Sequence, residues 1–200
     1  MPVSPEYITV VSGLPRSGTS LMMQMLETGG LPPVTDGGRV ADESNPRGYY
    51  EDARVKRLRS DGSWLGEAKG CALKVVHLYI PDLPVDAGYH YRVIFMRRPL
   101  MEVLASQGAM LARANIAPAT AAIEPGRLAA VFEAQVARAD AFLRTHQACF
   151  TVLDMSHPAL LSAPLAQAER LNAFLDGRLD ARRMAAVVDP SLWRQRAQGA

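Results

Sequence analysis

The sequence predicts an α/β domain of three layers, with a mostly parallel sheet flanked by helices. Two observations carry that expectation. Short strand-like runs, Ile8–Val11, Ala72–Val76, Tyr91–Met96 and Cys149–Leu153, alternate with stretches whose apolar residues recur at helical spacing. The third run is predominantly apolar, as a central parallel strand buried on both faces must be. At 200 residues the chain suits one domain, residues 1–200, with a sizeable core.

Taken in order, Ile8-Thr9-Val10-Val11 is the first strand and Ser17 to Glu27 the first helix. Leu21, Met22, Met25 and Leu26 share one broad helical face, and the methionines read as core filler. Gly29-Gly30 and Pro32-Pro33 end the helix. A long irregular loop runs to Tyr50, and long loops in compact domains are often functional. A helix from Glu51 to about Arg59 starts with Glu51-Asp52 and ends with Lys56, Arg57 and Arg59, the order its dipole favours. The strand Ala72–Val76 is followed by His77 and a loop spanning Pro81 and Pro84. Tyr91–Met96 runs into Arg97-Arg98-Pro99 and a helix from Leu100 to about Arg113, with Val103, Leu104, Gln107, Met110 and Leu111 at helical spacing. After a break from Asn115 to Pro125, the longest helix, Gly126 to His146, packs through Leu128, Val131, Phe132, Gln135, Val136, Ala139, Phe142 and Leu143. Cys149–Leu153, ending in Asp154, is the last strand, and Pro164–Phe174 and Asp180–Val187 are two closing helices.

A formal charge of +2 gives no field for a polyanion, so any anion site is local and nucleic acid is not an expected partner. No stretch approaches a membrane-spanning length, and Met1 to Glu6 has no basic leader segment. The expectation is a cytoplasmic protein. Cys71 and Cys149 border strands, lack metal-ligand spacing and read as reduced buried thiols; no His/Cys cluster suggests a metal.

The residues with chemistry follow the strands. Gly13-Leu14-Pro15-Arg16-Ser17-Gly18-Thr19-Ser20 joins the first strand to the first helix. Backbone N–H groups at a helix start have no intrahelical partner, and the dipole favours negative charge there. The spacing Gly13-x4-Gly18 is that of a P-loop, so the domain is expected to be P-loop NTPase-like. The lysine that should follow the second glycine is Thr19, and the cation of the turn is Arg16. That argues against nucleoside triphosphate hydrolysis, where the lysine reaches the β- and γ-phosphates. Ser106 lies two helical turns beyond the Arg97-Arg98 pair, which could converge with it on one anion; from spacing alone a solvated pair and a surface serine fit better. Lys74 and His77 could offset charge and take a proton, but residues three apart in a strand point to opposite faces.

The turn resembles the 5′-phosphosulfate loop of sulfotransferases that use 3′-phosphoadenosine 5′-phosphosulfate (PAPS). Arg97-Arg98-Pro99 with Ser106 is similar to that family's 3′-phosphate segment, one residue longer, so that Arg97 keeps Arg-x-Pro and Arg98 keeps the eight-residue spacing to the serine. Lys74-Val75-Val76-His77-Leu78 resembles a Lys-x-His-Leu segment with one residue added, and Asn45-Pro46-Arg47-Gly48-Tyr49-Tyr50-Glu51 resembles a segment that ends in a glutamate. The basic, glycine-rich C-terminal segment of cytosolic members is missing; Arg194 and Arg196 do not reproduce it. The resemblance implies sulfuryl transfer from PAPS to a hydroxyl or amine of a small-molecule acceptor, without a metal. Pro15, Arg16, Ser17, Gly18, Thr19 and Ser20 would hold the 5′-phosphosulfate, and Arg97 or Arg98 with Ser106 the 3′-phosphate. Arg16 and Lys74 would stabilise transferring charge, and His77 or Glu51 would be the base. A P-loop small-molecule kinase and a non-catalytic nucleotide-binding protein remain the other expectations.

Overall fold

The computed structural model describes residues 6–38, 48–113, 125–189 and 191. Its five strands, β1 (Tyr7–Gly13), β2 (Pro33–Val34), β3 (Ala72–Lys74), β4 (His90–Arg97) and β5 (Phe150–Ser156), form one sheet in the order β2-β3-β1-β4-β5. Every pairing is parallel. The helices are α1 (Thr19–Gly29), α2 (Leu100–Arg113), α3 (Pro125–Thr145), α4 (His157–Ser162), α5 (Pro164–Phe174) and α6 (Ala181–Ala186).

Period-two alternation divides the core into two layers of side chains. Ile8, Val10, Leu73, Val75, Tyr91, Val93, Phe95 and Phe150 face α3 and the short 3-10 segments Ala53–Arg57, Ser63–Ala68 and His77–Asp82. Val11, Ala72, Ile94, Met96 and Met155 face α1 and α4–α6, where Met22, Met23, Met25 and Leu26 are fully buried. Helical layers therefore cover both faces of a parallel sheet, the three-layer α/β arrangement expected, with the β1–turn–α1 unit at its centre.

Several boundaries differ from the sequence reading, each for a local reason. α1 begins at Thr19 rather than Ser17 because Gly18 takes the left-handed conformation, φ 100°, at the N-cap. The helix expected from Glu51 shrinks to the 3-10 segment Ala53–Arg57, capped by Asp52, whose carboxylate accepts from the Arg54 N–H. β3 stops at Lys74, and the residues after it turn into the 3-10 segment His77–Asp82. β5 runs on to Ser156, which caps α4, a helix the sequence reading left out. Within the loop after α1, Pro33–Val34 adds β2 at the sheet edge. Asn45, Pro46, Arg47, most of the Asn115–Pro125 break, Arg194 and Arg196 lie outside the described residues. Cys71 and Cys149 are free, and both are half-buried rather than buried. Among the described residues no helix is long and apolar enough to cross a membrane.

The sheet order places the switch point at β1. The chain leaves β1 for β2 and β3 on one side, then crosses to β4 and β5 on the other. Loops after β1, β3 and β4 thus converge at one carboxyl end, where such folds bind ligands.

α1 and α6 touch through Gly29, where an added Cβ would lie 2.5 Å from Met184 Cγ. Gly29→Ala should destabilise the protein by about 1–3 kcal/mol in urea unfolding, overpacking outweighing alanine's helix propensity. A gain in stability would contradict the close packing of these helices.

Candidate functional site

The turn after β1 is built around two glycines. Gly13 sits at φ 143°, and a Cβ there would lie 2.6 Å from Ser17 Oγ and 2.7 Å from the Met96 carbonyl oxygen. A Cβ on Gly18 would lie 2.6 Å from the His157 ring. The turn is thus wedged between the end of β4 and the start of α4, a fit that only glycine allows. Ser17 is 1% exposed, and among the described residues its hydroxyl has no hydrogen-bond partner. Gly18 supplies no side-chain cap for α1. A buried hydroxyl and an uncapped helix start together make a turn suited to an anion.

Between the glycines, Arg16 takes a left-handed backbone, φ 70°. For a side-chain-bearing residue this costs about 1–2 kcal/mol. Two contacts from the β4–α2 region hold it. Arg98 Nη1 donates to the Arg16 carbonyl oxygen at 3.0 Å, and Arg16 Nε donates to Ser106 Oγ at 3.1 Å. A hydrogen bond from a charged donor contributes about 1.5–3 kcal/mol, enough to offset the backbone cost. Arg98 is itself anchored by Glu102, Nε to Oε2 at 2.9 Å, and both side chains are buried. Arg98, Glu102 and Ser106 follow one another at four-residue spacing, along one side of α2 and the residues that lead into it.

Lys74 comes from the neighbouring strand. Its ammonium donates to Ser20 Oγ at 3.2 Å and to the Tyr49 carbonyl oxygen at 2.7 Å, and lies 3.8 Å from Glu51 Oε1. Lys74 is nearly buried, whereas the Glu51 side chain is 40% exposed. The Glu51 backbone is fixed by Asp36 N–H and Thr35 Oγ1, both donating to its carbonyl oxygen. Asp36 in turn accepts from the Gly38 and Ala53 N–H groups, which hold its carboxyl below the usual range.

His77 and Arg97 point elsewhere. β3 ends at Lys74, so strand alternation does not relate the two candidates; they diverge all the same, Lys74 reaching α1 while His77, in the 3-10 segment, turns toward α3. His77 is 2% exposed; Nδ1 lies 3.3 Å from the Gly13 carbonyl oxygen and Nε2 3.0 Å from Gln135 Oε1. With Nδ1–H donating to Gly13, Nε2 is an acceptor, satisfied if the Gln135 amide presents its NH2. Arg97 is held by two carboxylates, Nε to Asp154 Oδ1 at 2.6 Å and Nη2 to Asp140 Oδ1 at 2.7 Å, and lies over the Phe95 ring. Of the adjacent arginines, Arg98 is the one that touches the glycine turn. Pro15 and Thr19 lie within the turn, Thr19 being the first residue of α1.

Three further residues belong to this assembly. Gln135 was legible only as part of a packing stripe. Glu102 carries an i,i+4 signal to Arg98, visible once α2 is assumed to start at Leu100. His157, at the first position of α4 and against Gly18, carries no sequence signal. Burial pushes its imidazole down to about 4; the Arg98 guanidinium acts in the same direction and Glu102 opposes it. Among the described residues no group of three or more His, Cys, Asp or Glu side chains could hold a metal ion.

No family model matches this chain, and no curated protein matches it. Among solved structures, it is similar to a sulfotransferase domain from the curacin biosynthetic pathway, at 13% identity and a TM-score of 0.49, over 99% of this chain and 94% of that one. It is also similar to an unliganded sugar kinase from Janibacter sp. HTCC2649, at 16% identity and a TM-score of 0.41, over 94% of this chain and 98% of that one.

The buried neutral histidine has a pH consequence. In the unfolded chain His157 binds a proton near 6.5, in the folded protein only near 4. The unfolded state therefore holds more protons between these values, and stability present above pH 6.5 is lost as pH falls toward 4. His157→Asn should flatten the dependence, the wild type losing about 2 kcal/mol more than the variant between pH 7.5 and pH 5 in urea titrations. Equal losses would show that the ring titrates freely.

Proposed function

We propose that this protein transfers a sulfuryl group from PAPS to a hydroxyl or amine of a small-molecule acceptor. The observation that carries the reading is the 3.1 Å hydrogen bond from Arg16 to Ser106, which joins the glycine turn to a serine 90 residues away. It supports two adjacent anion positions at one end of the sheet, as a nucleotide with phosphates on both its 5′ and 3′ oxygens requires. The N–H groups of Gly18, Thr19 and Ser20 hold the 5′-phosphate, the Ser17 N–H being taken by the Leu14 carbonyl oxygen, and Ser106 with Arg98 takes the 3′-phosphate. Arg97 is left out of the site because Asp140 and Asp154 hold it, whereas Arg98 touches the glycine turn.

In the transfer, the acceptor oxygen or nitrogen bonds to sulfur as the bond from sulfur to the 5′-phosphate oxygen breaks. The bisphosphate leaves and the acceptor proton passes to a base. Glu51 is the better base of the two candidates, because its carboxylate is accessible and close to Lys74, whereas His77 is enclosed with both ring nitrogens engaged. Lys74 and Arg16 stabilise negative charge on the sulfuryl and bridging oxygens.

Phosphoryl transfer finds less support. Thr19 stands where the phosphate-binding lysine of a P-loop kinase would be. The Lys74 ammonium lies 3.2 Å from Ser20 Oγ, at the hydroxyl that would otherwise ligate magnesium.

Calorimetric titration separates the readings. 3′,5′-Adenosine bisphosphate should bind at least about tenfold more tightly than magnesium ATP, with Ser106→Ala erasing most of the difference. ATP binding as tight or tighter would remove the sulfotransferase reading. Glu51→Gln should keep bisphosphate affinity while lowering transfer by about a hundredfold or more; unchanged turnover would return the base to His77.

A further inference from the structure

We infer that Glu102 is a positioning residue for the anion-binding turn, acting through Arg98 on the backbone of Arg16; the inference rests on the reading of Gly13–Ser20 as an anion site. Three facts lead there. Glu102 is 4% exposed in a helix whose neighbouring buried position is Val103, so its carboxylate is held in place by its partner rather than by water. That partner, Arg98, is fixed by Glu102 through Nε, which directs Nη1 to the Arg16 carbonyl oxygen at 3.0 Å. Arg16 is the non-glycine left-handed residue of the turn, and its side chain is held one helical turn further along by Ser106.

The geometry gives Glu102 a specific task. The carbonyl of Arg16 and the N–H of Ser17 belong to one peptide plane. Holding that carbonyl toward Arg98 turns the Ser17 N–H the opposite way, and it donates to the Leu14 carbonyl oxygen at 3.1 Å, closing the turn. The orientation of the amides that follow is therefore set from the first turn of α2. A lysine at position 98 could supply the charge but not a planar fork that holds a carboxylate and a carbonyl at once. His157, on α4, faces the same pair, and its neutral form leaves the charge balance to Arg98 and Glu102.

The test uses the full chain without nucleotide first. In Glu102→Gln, the amide resonances of Ser17, Gly18 and Thr19 should move while those of β5 and α5 stay, and affinity for 3′,5′-adenosine bisphosphate should fall about tenfold. Arg98→Lys should reproduce the resonance pattern. Since an unpaired buried charge can prevent folding, the paired variant Arg98→Met/Glu102→Leu provides a folded protein in which the same turn resonances move. Turn resonances that keep their positions in the folded variants would overturn the inference, leaving Glu102 a partner in stability alone. Wild-type protein that fails to bind the bisphosphate, with variants whose turn resonances still shift, would support the positioning role and overturn the donor assignment only.

Discussion

A single left-handed arginine constrains the site. Arg16 is bent into a conformation that its side chain disfavours, and the bend is what lets the residues between Gly13 and Gly18 carry the chain from the end of β1 to the start of α1. The charge-assisted hydrogen bond from Arg98 and the one to Ser106 exceed the cost of that bend. The turn is therefore not a free loop that a ligand must order. Its shape is imposed by α2, which also carries Ser106, the serine proposed for the second anion position.

The parallel sheet makes this possible by where it changes direction. With β1 between β3 and β4, the residues following each of these three strands are neighbours whatever their separation in sequence. Lys74 comes from one flank and Arg98 from the other, and they meet opposite ends of the same turn, Ser20 and Arg16. Strand alternation places Lys74, and the turn after β3 places His77. Lys74 shares a face with Ala72 and meets α1, while His77, beyond the strand, crosses to α3 and closes over Gly13. On this arrangement His77 maintains the start of the turn, and the more accessible Glu51 is the proposed base.

Much of this was legible in the chain because local signals and tertiary structure agreed. The glycine spacing, the Arg16 cation and the β–turn–α context stand together in one short stretch, and Pro164–Phe174 was bounded correctly by its proline and its periodicity. What stayed hidden depended on distant partners. Arg97 and Arg98 are adjacent, and nothing local separates them. Asp140 and Asp154, 43 and 57 residues away, claim Arg97, and the carbonyl of Arg16, 82 residues away, claims Arg98. His157 gave no sign because its role is to fill the space that Gly18 leaves. The helix expected at Glu51 failed for a different reason: Asp52 and Asp36 bind the backbone there, and a tight 3-10 turn satisfies them with fewer residues.

The central claim is that one turn and one helix form paired anion sites for a nucleotide phosphorylated on both sides of its ribose. The most direct measurement is a crystal structure of the protein with 3′,5′-adenosine bisphosphate. The account predicts the 5′-phosphate against the N–H groups of Gly18 to Ser20 and the 3′-phosphate within hydrogen-bond distance of Ser106 and Arg98. A bisphosphate bound with its 3′-phosphate away from both residues, or bound outside the glycine turn, would contradict it.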